Sequence, residues 1–247
     1  MAWPPYRVDW FPPDSSSGPD TTSFSTHYPV RLSDGSRLSL PLTPLPGGEK
    51  AVALLMSNQT NFVVEHNIVR RMATLSRAAA PEAIVGIPTL GLTYARSVAE
   101  AIGLPDFVAL GHSRKFWYDD ALSEQTISST SPDQNKRIYL DPALLERVDG
   151  RRIVIVDDVL NTGATMASAV RLMHRARATV AAIVAVLTEG WAWHGALARI
   201  DPTIPERVRA LGHIPLFGRV GESWVPLPDT EAAARPTGRD VLGSPAC

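Results

Sequence analysis

Arg152-Ile153-Val154-Ile155-Val156-Asp157-Asp158-Val159-Leu160-Asn161-Thr162-Gly163-Ala164-Thr165 is the stretch that decides how this chain folds. Consecutive branched aliphatics at 153–156 run into two carboxylates, a short polar loop follows, and a helix-like pattern opens at Ala164. A short, wholly apolar run bounded by turn residues reads as a parallel strand buried on both faces. Its end delivers the two acids. Gly163 lets the backbone approach an anion with no Cβ in the way, and the helix behind it turns its positive dipole end toward the same place. Carboxylates suit sugar hydroxyls and backbone amides suit a phosphate, so the stretch is fitted to a sugar phosphate. The plainer alternative is a strand, loop and helix with surface acids. The order of strand, acids, loop and helix favours the functional reading.

This pattern resembles the phosphoribosyl pyrophosphate (PRPP) signature of the type I phosphoribosyltransferases: a hydrophobic strand, two acids, a few variable residues and Thr-Gly-x-Thr. The matching positions are Asp157, Asp158, Thr162, Gly163 and Thr165. The resemblance implies that Asp157 and Asp158 hydrogen-bond the ribose 2- and 3-hydroxyls. It also implies that Asn161, Thr162, Gly163, Ala164 and Thr165 wrap the 5-phosphate. It covers roughly residues 83–189.

Outward from this stretch, strands and helices alternate. Residues 51–56, 83–87, 107–110, 137–140, 153–156 and 180–187 read as strands. Residues 61–79, with Val64, Ile68, Met72 and Leu75 on one face, read as a helix. So do residues 92–102, closed by Gly103, residues 164–177, with Met166, Val170 and Met173 inward, and shorter pieces at 142–147 and around 205–211. Ser33-Asp34-Gly35 between strand-like runs 27–32 and 36–40 is a hairpin signal. The expected fold is α/β: a parallel sheet with helices on both faces and a small N-terminal hood. The expected divisions are an irregular segment at 1–26, hood and connection at 27–60, core at 61–218 and an irregular tail at 219–247. Ligands in such sheets bind beyond the carboxyl ends of the strands, where Asp157 and Pro88 fall.

Two further loops sit at strand ends. Ile84-Val85-Gly86-Ile87-Pro88-Thr89-Leu90-Gly91-Leu92-Thr93 is again strand, turn and helix, standing where the family places its pyrophosphate loop. By resemblance, amides of Thr89, Leu90 and Gly91 face the diphosphate, in a loop that in relatives often carries a cis peptide. Arg114 and Lys115 resemble the Arg-Lys pair of xanthine and adenine phosphoribosyltransferases, placing Lys115 among the catalytic residues beside Asp157 and Asp158. Their cations would neutralise the leaving diphosphate; a solvated basic pair is the alternative. The polar run 119–136 resembles the family's mobile lid, with Ser128, Ser129, Thr130, Ser131 and Lys136 as contacts. Adenine phosphoribosyltransferases carry a glutamate there within Leu-Glu-Tyr. This chain has Ser-Ser-Thr-Ser-Pro, with Glu124 nearby in another context. Glu189 and Trp191 follow the last long strand, where the family often sets its base; core or dimer packing is the alternative for Trp191.

Composition narrows the classes. A net charge of −1 gives no reason to expect a nucleic-acid surface. One cysteine, Cys247, leaves no internal disulfide framework and no cysteine metal cluster. No apolar run reaches membrane-span length, and residues 1–20 lack the basic start and apolar core of a secretory signal, so a cytoplasmic protein is expected. Neither a Gly-x-x-x-x-Gly-Lys-Ser/Thr loop, Gly-x-Gly-x-x-Gly, His-Glu-x-x-His nor Gly-x-Ser-x-Gly occurs. The reaction the resemblance implies joins a nucleobase, preferably a purine, to C1 of PRPP and releases pyrophosphate. Mg²⁺ would be held mainly by PRPP oxygens and water with no direct protein ligand, and the protein would be a homodimer. The rival is a non-catalytic PRPP-sensing regulator of the same fold.

Overall fold

The computed structural model describes residues 6–13, 15, 22–128 and 131–236. Its strands and helices are, in chain order, β1 (Asp9–Phe11), β2 (His27–Arg31), β3 (Arg37–Pro44), β4 (Lys50–Ala53), α1 (Phe62–Ala78), β5 (Ala83–Gly86), α2 (Gly91–Ala101), β6 (Val108–Ala109), β7 (Ser123–Ser128), β8 (Ser131–Tyr139), β9 (Arg152–Leu160), α3 (Ala164–Arg175), β10 (Thr179–Glu189), α4 (Ala192–Ala198), β11 (Val208–Ile214), β12 (Phe217–Val220) and β13 (Ser223–Pro226).

The aliphatic run at 153–156 becomes β9, the central strand of a parallel sheet ordered β11-β10-β9-β5-β6. Its side chains alternate between two cores. Val154 and Val156 join Val64, Ile68 and Met72 of α1 and Tyr94, Ala95 and Val98 of α2. Ile153 and Ile155 join Met166, Val170 and Met173 of α3 and Trp193 and Leu197 of α4. The four aliphatics at 153–156 are fully buried. Each such side chain contributes roughly 1.5–3 kcal/mol by leaving water, which is why an alternating polar pattern never appears in this strand. Asn61 starts α1: its side chain accepts the Val64 amide at 3.0 Å.

Over one face stands an antiparallel hood sheet ordered β1-β3-β4-β12-β13, with β2 paired to β3. The Asp-Gly turn joins β2 to β3 as the sequence suggests, with Gly35 at φ +84° and the Asp34 carboxylate accepting the Ser36 amide at 3.0 Å. Leu32 and Ser33 at this turn bridge to Gly212 and Leu211, seating the hood on the edge strand β11.

Several expectations are corrected. Within the segment expected to be an irregular tail, β12 and β13 run out of the core and complete the hood. Phe24 and Trp224 exchange backbone hydrogen bonds at 2.7 and 2.8 Å, so distant parts of the chain satisfy each other's amides. At the start of the chain, β1 pairs with β3 and is not irregular. The helix expected around 205–211 is one 3-10 turn, Pro205–Arg207, followed by β11. Val208, Leu211 and Ile214 are buried at spacings of three, a helix-like signal, but the open edge of β10 supplies backbone partners and wins. The polar run 119–136 holds most of the hairpin β7–β8, whose second strand takes in 137–139 of the strand expected at 137–140. Ser128 and Ser131 lie in its strands, while Ser129 and Thr130 lie outside the described residues. The strand expected at 107–110 shrinks to β6, and the short helix at 142–147 is 3-10.

Candidate active site

Asp157 and Asp158 lie in the carboxyl-terminal half of β9, which continues past the expected end at 156 to Leu160 by pairing with β10. Asp157 is 9% exposed, and its Oδ1 accepts the Asp158 amide at 2.9 Å. Neither acid meets a cation among the described residues. Burial pushes both carboxyls above the usual range, and the Asp158 charge raises Asp157 further. Two largely desolvated acids side by side with raised carboxyls mark this strand as a candidate functional site.

The loop after β9 turns at Gly163, which has φ +77° and forms the N-cap of the 12-residue α3. A Cβ there would stand 2.8 Å from Trp193 Cα, so glycine is required by both backbone conformation and space. Thr162 Oγ1 accepts the Ala164 amide at 3.4 Å, and the hydroxyls of Thr126 and Thr165 meet at 3.3 Å. Asn161, Thr162, Gly163, Ala164 and Thr165 thus form the N-terminal entry to a helix, a place where orphan amides and the dipole favour an anion.

The second loop folds directly against the acids. A Cβ on Gly91 would stand 2.8 Å from Asp157 Oδ1 and 2.9 Å from its Cα. The Pro88–Thr89 peptide is cis. Ser57 Oγ donates to Leu90 O at 2.6 Å, fastening the segment that leaves the hood to the same loop. Gly91 therefore borders Asp157, an adjacency that no sequence spacing gives, with Thr89 and Leu90 immediately before it in the loop.

Arg114 and Lys115 are both exposed. The Arg114 guanidinium is paired with Asp120 at 2.9 Å, whereas Lys115 makes no ion pair among the described residues. Phe116 and Trp117 beside them are exposed, with Trp117 Nε1 donating to Asp141. Glu189 ends β10, 5% exposed, and burial alone raises its carboxyl to about 7. Trp191 has one ring face stacked on His213 at 4.5 Å, and its Nε1 donates to Glu231 O. His213 is itself fixed. Its Nε2 donates to Thr230 O at 2.8 Å, so Nδ1 accepts from Thr188 Oγ1 at 2.9 Å.

Sequence reasoning missed three contributors. His112 lies between Pro88 O at 3.2 Å and Arg137 O at 3.3 Å, bridging the second loop and the hairpin. Ser57 and Tyr6 are the others. The Tyr6 hydroxyl accepts the Met56 amide at 2.6 Å, and Asp158 raises the Tyr6 phenol beyond what burial does. An isolated Tyr in a proline-rich segment carries no local signal of such a position. The hairpin itself is strapped to α3: Ser168 Oγ donates to Gln125 O, Arg175 donates to Ser123 O, and both Arg171 and Arg175 pair with Glu124.

A parallel sheet carrying one buried and one half-buried acid between two helix-entry loops is the architecture of enzymes that transfer a phosphoribosyl group. The chain matches the phosphoribosyl transferase domain family over residues 58–199, and it belongs to that family. It is 27% identical to an adenine phosphoribosyltransferase from Roseiflexus sp. (strain RS-1) over 143 residues, 58% of this chain and 77% of that one. Its fold is the type I phosphoribosyltransferase fold. It superimposes on adenine phosphoribosyltransferase from Thermoanaerobacter pseudethanolicus with a TM-score of 0.56 at 16% identity, covering 71% of this chain and 95% of that one. The Trypanosoma brucei adenine phosphoribosyltransferase, solved with AMP, pyrophosphate and ribose-5-phosphate, gives 0.54 at 16% identity, covering 78% and 76%.

Proposed function

We propose that this phosphoribosyltransferase joins a nucleobase, preferably a purine, to C1 of PRPP and releases pyrophosphate. The observation that carries the reading is the close approach of Gly91 to Asp157, which brings the start of α2 against the paired acids of β9. In this reading Asp157 and Asp158 accept hydrogen bonds from the ribose hydroxyls, and residues 161–165 hold the 5-phosphate. Thr89, Leu90 and Gly91 receive the diphosphate, and Lys115 approaches it as a mobile cation. The developing oxocarbenium charge forms over the two acids, while the leaving diphosphate gathers charge over the second loop. The hairpin β7–β8, tied to the phosphate loop by Thr126 and Thr165, keeps water from the anomeric carbon. In the same reading Glu189, whose buried carboxyl is raised to about 7, exchanges a proton with the base. Trp191 contributes a wall, since one of its faces is already covered.

Among the described residues no group of three His, Cys, Asp or Glu side chains could hold a metal. The uncompensated acids fit an Mg²⁺ that arrives with PRPP and keeps its waters. Bound there, Mg²⁺ would neutralise diphosphate charge. A homodimer in the cytoplasm belongs to the same reading. Among the described residues no helix is long and apolar enough to cross a membrane.

The test is pyrophosphate release from PRPP and Mg²⁺ with a panel of purine and pyrimidine bases. Release with one base establishes enzyme and acceptor together. Silence across the panel, with a PRPP-dependent rise in melting temperature, identifies a sensor. No thermal shift at millimolar PRPP removes the assignment. Asp157→Asn and Asp158→Asn should each weaken PRPP binding at least tenfold, roughly the loss of one charged hydrogen bond, with the fold intact.

A further inference from the structure

His112 follows β6 and joins two parts of the site that lie 24 and 25 residues from it in the chain. Its backbone is anchored next door, where Gly111 and Tyr139 of β8 exchange amide hydrogen bonds at 3.0 and 2.9 Å. From that anchor the exposed ring spans a gap. Nδ1 faces the Arg137 carbonyl of β8 at 3.3 Å, and Nε2 faces the Pro88 carbonyl of the second loop at 3.2 Å. β8 belongs to the hairpin that Thr126 and Thr165 tie to the phosphate loop. Pro88 stands just before Thr89, Leu90 and Gly91.

The partners decide which charge state makes both contacts. Carbonyl oxygens only accept. A neutral imidazole has one N–H and one lone pair, so it serves one carbonyl and turns a lone pair on the other. An imidazolium donates from both nitrogens and serves both. The acids around it are engaged elsewhere. Asp120 pairs with Arg114, Asp119 accepts the Ala121 amide, Asp141 accepts Trp117 Nε1, and Glu124 pairs with Arg171 and Arg175. Asp157 and Asp158 lie beyond Gly91 in β9. Of the cations, Arg137 turns its guanidinium to Ser123 Oγ at 2.7 and 3.1 Å, and Lys115 and Lys136 complete the set on these elements. Tyr118 and Tyr139 pack ring against ring.

We infer that His112 is a positioning residue: its imidazolium holds the hairpin to the second loop, and loss of its proton releases them. The consequence for catalysis rests on the phosphoribosyl-transfer reading above, in which the second loop receives the diphosphate and the hairpin keeps water out. A protonated His112 then favours the closed, PRPP-holding arrangement.

The test uses the full chain, His112→Ala and His112→Arg, with PRPP and Mg²⁺, at pH about 5.5 and about 8.5, on either side of the range in which an imidazole changes charge. Asp157, Asp158, Glu189 and the PRPP phosphates are common to all three proteins, so the readout is each variant's Kd for PRPP divided by that of wild type at the same pH. At the lower pH His112→Ala should raise the Kd about fivefold, the worth of one exposed charged hydrogen bond, and at the higher pH by less than about twofold. His112→Arg, charged at both values and rich in donors, should hold PRPP as wild type does at the lower pH and more tightly than wild type at the higher. Amide exchange across β7 and β8 without ligand reads the clamp itself: His112→Ala should exchange faster than wild type at the lower pH and equally at the higher. A His112→Ala effect that is the same at both pH values, or a His112→Arg no better than His112→Ala, overturns the inference. If wild type binds no PRPP, the transfer reading fails instead, and the exchange comparison still decides the clamp.

Discussion

The carboxyl end of the parallel sheet and the hood above it are built in opposite ways. At the sheet end each functional group arrives with its own scaffold in one continuous run: strand, acids, glycine, helix at 152–175, and strand, turn, glycine, helix at 83–101. The hood is assembled from β1, β2, β3, β4, β12 and β13, drawn from both ends of the chain and held by backbone pairing such as Phe24 with Trp224. In the proposed reading, local construction serves the part that holds the sugar phosphate, and distributed construction the part that closes over the acceptor.

The comparison breaks first if the two loops of the sheet end are not mutually dependent. Gly91→Ala drives a methyl group into the backbone and carboxylate of Asp157, neither of which can retreat from the buried strand. Pyrophosphate release should fall at least 100-fold, about 3 kcal/mol of transition-state stabilisation, and the PRPP-induced thermal shift should vanish. An active Gly91→Ala enzyme would mean that the loops work apart.

The hood is tested by Trp224→Ala. Trp224 is 7% exposed, belongs to β13 and stacks under the Arg219 guanidinium. Its removal should cost about 3 kcal/mol. Amide exchange should accelerate across β12 and β13 while β9 and β10 stay protected; uniform acceleration would show one cooperative unit.

Glu189 sharpens the electrostatic side. Its carboxyl, raised to about 7 from an unfolded value near 4.5, favours the folded state most when protonated. That contribution is fully present below about pH 4.5 and is lost as pH rises through about 7, roughly 3 kcal/mol. Glu189→Gln, which cannot ionise, should be more stable than wild type at pH 8 and lack this slope in urea titrations at pH 5, 6, 7 and 8. Equal slopes would mean that the acid is hydrated or paired.

The smallest effect belongs to the strap between hairpin and α3. Glu124 meets Arg171 and Arg175, whose side chains are about half exposed, so Glu124→Gln should cost less than about 1 kcal/mol of stability. A stopped-flow record of hairpin closure is the sensitive readout, and an unchanged closing rate would leave the strap without a role in closure.

Much of the sheet end was legible because its determinants are local. The aliphatics of 153–156 are buried on both sides, Gly163 takes the left-handed conformation its loop demands, and α1 buries Val64, Ile68 and Met72 as their spacing requires. Less was legible where a remote partner decides. The spacing of Val208, Leu211 and Ile214 favours a helix, yet β10 offers an unpaired edge and the segment becomes a strand. The polar run after Asp119 looks like irregular chain, yet α3 presents Ser168, Arg171 and Arg175 to its backbone and carboxylate, and the hairpin forms.

By itself the sequence determined the central strand, the paired acids, the glycine turn and the family resemblance, because each depends on neighbours within a few residues. Only the tertiary structure decided that Gly91 touches Asp157, that the Tyr6 hydroxyl accepts the Met56 amide, and that strands from 9–53 and 217–226 meet in one hood. Those contacts join residues far apart in the chain. What fixes them is the space left when two cores close against one sheet, and no short stretch of sequence contains it.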